Sequence, residues 1–186
     1  MRLADREWAD SVLRFWFEEL GPSGWFKKSE ATDAEITARF EQLHRDIAEA
    51  PIDALLADRN TALAAVIVLD QFARNMFRGK PGSFAIDATA LDLARRAIDL
   101  GYDGRDLPED WRVFFYLPFE HSEELADQHR AVELISDLGN DEYTRYAIAH
   151  RDVIERFGRF PHRNAILGRT STPEEETYLA EPGSGF

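Results

Sequence analysis

The sequence predicts an all-α protein. Apolar residues recur at helical spacing along most of the chain, and Pro, Gly and Asn divide it into segments of helical rather than strand length. No stretch shows the bounded, β-branched alternation of a half-buried strand. With 186 residues, 44% hydrophobic and 12% aromatic, the chain suffices for one well-filled core and is short for two, so a single domain over 1–186 is expected.

Taken in order, Trp8, Val12, Phe15 and Trp16 form one broad stripe of a first helix, which Gly21-Pro22 stops. A second helix starts near Asp33. Its core face is Ile36, Phe40, Leu43 and Ile47, Pro51 ends it, and residues 52–57 add a short helical piece. Asn60 is placed to cap a third, central helix, whose apolar run over 62–69 implies burial on most sides. The turn cluster over 78–83 leads to a helix over 88–100, with Asp87 as its cap and Gly101 as its C′ residue. Leu107-Pro108-Glu109-Asp110 opens the next helix, with acids at the positive end of its dipole, and Pro118 should kink or break it. Helices over about 122–138 and 141–157 follow, separated by Gly139-Asn140 and closed by Gly158. Thr172-Pro173-Glu174-Glu175 matches a capping box that opens a short last helix ending near Leu179.

The formal net charge of -13 argues against nucleic acid or an anionic membrane as partner. The absence of cysteine removes disulfides, thiolate metal sites and cysteine nucleophiles, and fits a reducing compartment. Residues 1–7 show no signal-peptide pattern, and the longest apolar run, 62–69, is far below the roughly 20 residues that cross a bilayer. A soluble, cytoplasmic protein is expected.

Within this acidic chain, residues 156–169 carry Arg156, Arg159, Arg163, Arg169 and His162 with no acid among them. Gly158, Pro161 and Gly168 interrupt regular helix, while Phe157, Phe160, Ile166 and Leu167 are apolar enough to pin the stretch to a core. Its positive charge must meet an acidic surface or a bound anion. The densest acidic segment is Glu120, Glu123, Glu124 and Asp127. There a proline break puts Glu120, His121 and Ser122 beside a helix start, and His121, Glu124 and Gln128 would share one face. His121 or His162 with Glu123 can then serve as an acid/base pair. The third helix ends in Asp70, Gln71, Arg74 and Asn75, one turn and two turns after Val66 and Ile67, so an apolar face continues as a polar, buried one. His150 lies on the stripe of Tyr143, Ala147, Ile154 and Phe157, where a hydrogen-bonded core histidine is the plainer reading. Standard nucleotide-loop, zincin and hydrolase signatures are absent.

Four motifs together resemble one bacterial family. They are Val12-Leu13-Arg14-Phe15-Trp16-Phe17, Leu69-Asp70-Gln71-Phe72-Ala73-Arg74-Asn75, Leu117-Pro118-Phe119-Glu120-His121-Ser122-Glu123 and Arg156-Phe157-Gly158-Arg159-Phe160-Pro161-His162-Arg163-Asn164. The family is the one catalogued as domain of unknown function 924. The resemblance implies a single-domain antiparallel helix array, a tetratricopeptide-like α-α superhelix, and brings no catalytic residues or cofactor with it.

Three functions are compatible with these residues. The first is a small anionic ligand held by Arg159, Arg163 and Arg74, oriented by Asp70, Gln71 and Asn75, with His121, Glu123 and His162 for acid/base work. The second is a helical-repeat module for a protein or peptide partner, in which the polar motifs only lock helices together. The third is a metal-dependent hydrolase using His121, Glu124 and Asp70.

Overall fold

The structure, a computed structural model, describes residues 7–185, and every regular element among them is helical. The chain divides into two compact units: residues up to Arg78 with Gly82–Pro118, and Gly79–Pro81 with the chain from Phe119 onward. No helix among the described residues is long and apolar enough to cross a membrane.

In the first unit, α1 (Glu7–Leu13) runs directly into a π-helical segment, Arg14–Leu20. A π turn pairs each N–H with the carbonyl five residues back, and Gly21 N–H accordingly reaches Trp16 O at 3.1 Å. Gly21 sits at φ +67°, a conformation that side chains resist. The same carbonyl accepts the Trp25 indole N–H at 2.7 Å. α2 (Glu30–Ala48) starts ahead of Asp33 because Ser29 is its cap, accepting from Thr32 N–H at 3.2 Å. Ile36, Phe40, Leu43 and Ile47 are buried, as their spacing predicts. α3 (Arg59–Ile67) is capped by Asp58 rather than Asn60, since the Asp58 carboxylate accepts from both the N–H and the hydroxyl of Thr61, each at 2.9 Å.

α3 continues through a second π segment, Val68–Phe72, into Ala73–Met76, and residues 61–73 are all buried. The two π segments share one aromatic core. Phe72 meets Phe15 and Trp16 at ring-centroid distances of 5.9 and 5.5 Å, and Phe40 closes over Phe72 at 4.9 Å. α4 (Asp87–Asp99) begins with Asp87 instead of being capped by it. α5 (Glu109–Glu120) does not break at Pro118: the proline forgoes its one ladder bond, and the helix runs on through Phe119 to Glu120. Its last residues, Phe119 and Glu120, belong to the second unit.

The second unit is built on a helical hairpin of α6 (Leu125–Ser136) and α7 (Asp141–Phe157). Asn140 caps α7 by accepting from the N–H groups of Glu142 and Tyr143 at 3.0 and 3.2 Å. Gly158 ends α7 at φ +67°, its N–H donating to Ile154 O at 2.8 Å. Val153, Ile154 and Phe160 form the local core, with Phe157 and Tyr178 packed against it. Phe160 is fully buried and pins the arginine-rich stretch as expected, but Leu167 is 38% exposed and Ile166 only half-buried. α8 (Pro173–Leu179) opens with the predicted capping box: Thr172 Oγ1 accepts from Glu175 N–H at 3.2 Å, and Glu175 Oε2 accepts from Thr172 N–H at 2.7 Å.

Candidate functional site

The polar end of α3 lies wholly in the first unit, where its residues bind one another and neighbouring helices. Asp70 is 1% exposed and takes the Gln71 side-chain amide at 2.6 Å and Arg74 Nη1 at 3.1 Å. Arg74 also donates to both Asp87 oxygens on α4 at 3.1 Å and to the Asp70 carbonyl at 2.8 Å. Burial opposes the Arg74 charge, but Asp70 and Asp87 more than offset it and raise its pKa. Asn75 donates to Asp33 on α2 at 2.8 Å, and Arg78 meets the same carboxylate through Nε and Nη2 at 2.6 and 2.8 Å. The carboxylates of α2 and α4 thus clasp the end of the central helix from two directions. Burial of Asp70 and partial burial of Arg74 follow from their positions one and two turns beyond the apolar run, and the clasp is the geometry of a structural network.

The second unit gathers the remaining candidates. α5 ends at Glu120, and α6 begins only at Leu125, so His121 stands on a turn and shares no helix face with Glu124 or Gln128. Gln128 is fully buried and donates its amide to the carbonyls of Glu120 and Ser122 at 2.6 and 2.7 Å, which fixes that turn. Glu123 then reaches the arginine-rich stretch. Its carboxylate accepts from Phe160 N–H at 2.8 Å and from Arg169 Nη1 and Nη2 at 2.7 and 2.9 Å. Arg163 is 6% exposed, lies over the Phe160 ring at 4.5 Å and donates to His121 O at 2.9 Å. His121 and His150 have ring centroids 6.2 Å apart, and the Phe160 ring lies 5.7 Å from that of His150 and 5.5 Å from that of His162. His121, Glu123 and His162 are half-exposed, whereas His150, Glu120 and Arg163 are buried. Arg159 is turned to a different partner, Glu175, with bonds of 2.6 and 2.7 Å.

Charge in this cluster is tightly arranged. Partial burial works against ionisation of Glu123, but the Arg169 guanidinium, the Phe160 N–H and the Arg163 charge outweigh it and hold the carboxyl below its usual range. Burial and the adjacent Arg163 push His162 down to about 4, against the pull of Glu123. Burial, then the positive field of His121, His162 and Arg163, pushes His150 down to about 3. Its Nδ1 lies 2.9 Å from Tyr146 O and 3.2 Å from Glu120 Oε1. A carbonyl only accepts, so Nδ1 carries the proton and the neutral ring leaves Nε2 with its lone pair. The short approach of Glu120 favours an imidazolium, but burial and the cationic neighbours prevail, and the contact is that of a neutral N–H facing a carboxyl oxygen. Among the described residues, no group of three or more His, Asp or Glu side chains is arranged to hold a metal ion.

A family described as a bacterial protein of unknown function (DUF924) matches residues 12–183. The chain belongs to this family. A solved structure of a protein of unknown function, ATU0120 from Agrobacterium tumefaciens, is similar to it at 45% identity and a TM-score of 0.87, covering 92% of this chain and 96% of that one. No curated protein matches. In this DUF924 chain, sequence reasoning had passed over Glu120–His150 and the part played by Arg169 in holding Glu123. Arg169 was visible as one more arginine of the stretch. The pairing of Glu120 with His150 had no local signal, because it depends on where α5 ends.

Proposed function

We propose that this DUF924 protein binds a small anionic molecule at the half-exposed cluster of His121, Glu123 and His162, above the buried Arg163. The observation that carries this reading is the gathering of two histidines and a buried guanidinium at one place in an otherwise acidic chain. Arg163 supplies the fixed charge, and the histidine rings supply N–H donors or a proton acceptor at the rim. With His162 neutral near pH 7, its ring can accept a proton from a bound acid, which extends the reading to acid/base chemistry. Glu123, held ionised, would orient a donor group of the same ligand. Asp70, Gln71, Arg74 and Asn75 enter this proposal as stabilisers of the first unit, and Arg159 as the partner of Glu175.

The test is NMR titration of the full chain with sulfate, phosphate and citrate, following the histidine ring protons. Saturable shifts at His121 and His162 are expected, the His121 response being weakened by His162→Gln and both responses by Arg163→Gln. Saturation without any change at these rings would overturn the reading, as would no response to any of the three anions.

A second reading has its own observation. Arg156, Arg159 and Arg169 each meet a carboxylate of the chain, Glu174, Glu175 and Glu123 respectively. Such pairing suits a structural lock within a tetratricopeptide-like protein or peptide interaction module, and a cluster silent to anions would favour it.

A further inference from the structure

Resting on the anion-binding reading, we propose that capture of an anion at the cluster is coupled to proton uptake by His162, so that the site tightens as the pH falls. His162 sits, half-exposed, on the short 3-10 turn Pro161–Arg163, with groups of several elements around it. Arg163 adjoins it on the turn, and Arg169 follows on the same stretch. His121 and Glu123 face it from the turn after α5, and His150 from α7. Behind it comes the C-terminal segment, where a Cβ added at Gly185 would stand 3.8 Å from His162 Cβ. The ring of Phe160 lies against it at 5.5 Å.

Four of these neighbours, Arg163, Arg169, His121 and His150, are cationic or become so on protonation, and one, Glu123, is anionic with its charge already engaged by Arg169. A proton on His162 therefore enters a positive field, and the ring stays neutral down to about pH 4. An anion seated beside Arg163 reverses that field and gives the protonated ring a partner. The complex then holds a proton that the free protein does not. By linkage, affinity rises as the pH falls from the complex's His162 pKa towards that of the free protein, by at most about tenfold per pH unit for each proton taken up. Above the pKa of the complex the affinity is flat.

Sulfate is the suitable probe, because it does not titrate in this range. Calorimetric titration of the full chain between pH 5 and pH 8, in pairs of buffers with different ionisation heats, counts the protons. The expected result is uptake approaching one proton at the acid end, vanishing at the alkaline end, and abolished by His162→Gln while sulfate still binds. Ring-proton titration of His162 in the unmodified protein, with and without sulfate, gives the same answer without a substitution: its midpoint should rise on binding. Sulfate binding with no proton uptake, or with the uptake intact in His162→Gln, overturns the coupling and leaves the anion site standing. Failure of sulfate to bind at any pH overturns the anion site and the coupling with it.

Discussion

Arg159 grips Glu175 with two hydrogen bonds, Nε to Oε1 at 2.6 Å and Nη2 to Oε2 at 2.7 Å, and the same carboxylate completes the capping box of α8. A carboxylate that accepts from a guanidinium, a backbone N–H and the Asn164 amide is held ionised, and the Arg159 bond leads in pushing its pKa down to about 2.

The pH dependence of stability follows. Glu175 binds its proton at about 2 when folded, against 4.5 as the ordinary value, so its contribution is complete above about pH 4.5 and is lost as the pH falls towards 2. Urea midpoints measured from pH 6 to pH 2.5 should fall more steeply for the unmodified protein than for Glu175→Gln. Parallel curves would show that the carboxylate charge contributes nothing.

Asp70→Ala should be costly. Asp70 is 1% exposed, and its removal takes the carboxylate acceptor from the Gln71 amide and one of two carboxylate partners from Arg74, which keeps Asp87. Breaking a buried pair from one side costs on the order of 3 kcal/mol, which denaturant unfolding would register. A change within about 0.5 kcal/mol is what an ordinary surface pair would give.

His44 should be better replaced. It is 7% exposed, and among the described residues neither ring nitrogen finds a hydrogen-bond partner. Burial, aided by Arg45 and opposed by Glu41, lowers its pKa. A neutral ring buried with a bare N–H is a net cost, so His44→Leu should stabilise by about 1 kcal/mol at neutral pH. The unfolded chain takes up a proton near 6.5 that the folded ring refuses, so folded stability tied to His44 is present above that pH and lost below it. The advantage of the variant should therefore grow between pH 7 and pH 5. An equal or reduced advantage at pH 5 would contradict the burial argument.

Gln128→Leu should loosen the turn that carries His121 and Glu123. The amide is the donor to Glu120 O and Ser122 O, and an apolar replacement strands both carbonyls at a cost of about 2 kcal/mol. Amide exchange of residues 119–128 should accelerate before that of α7. Unchanged exchange there would assign the turn to other supports.

Legibility from the sequence tracked the range of the interaction. The capping box at Thr172, the closure of α7 by Gly158 and the core stripe of α2 are written within a few residues, and all are present. Asp87 looked like a local cap, but its carboxylate is drawn 13 residues back to Arg74. Asn60 lost the capping role to Asp58 because Asp58 accepts from the N–H and hydroxyl of Thr61 together. Pro118 predicts a break because it removes a ladder bond and disfavours helix at Leu117, yet the helix continues two residues beyond it. The charge argument for the arginine stretch reached Glu123, which Arg169 binds, but nothing in one dimension could assign Arg159 to Glu175 or bring Glu120 to His150. Neither π segment left a periodicity that distinguishes it from α-helix.

All four tryptophans, Trp8, Trp16, Trp25 and Trp111, fall within the first of the two compact units. Intrinsic fluorescence excited at the indole band therefore watches that unit alone, while circular dichroism sums the helices of both. The two signals form a built-in comparison: coincident denaturation midpoints would mean that the chain melts as one cooperative domain, and separated midpoints would time the unit that bears His121, His150 and His162 independently of the tryptophan-bearing one.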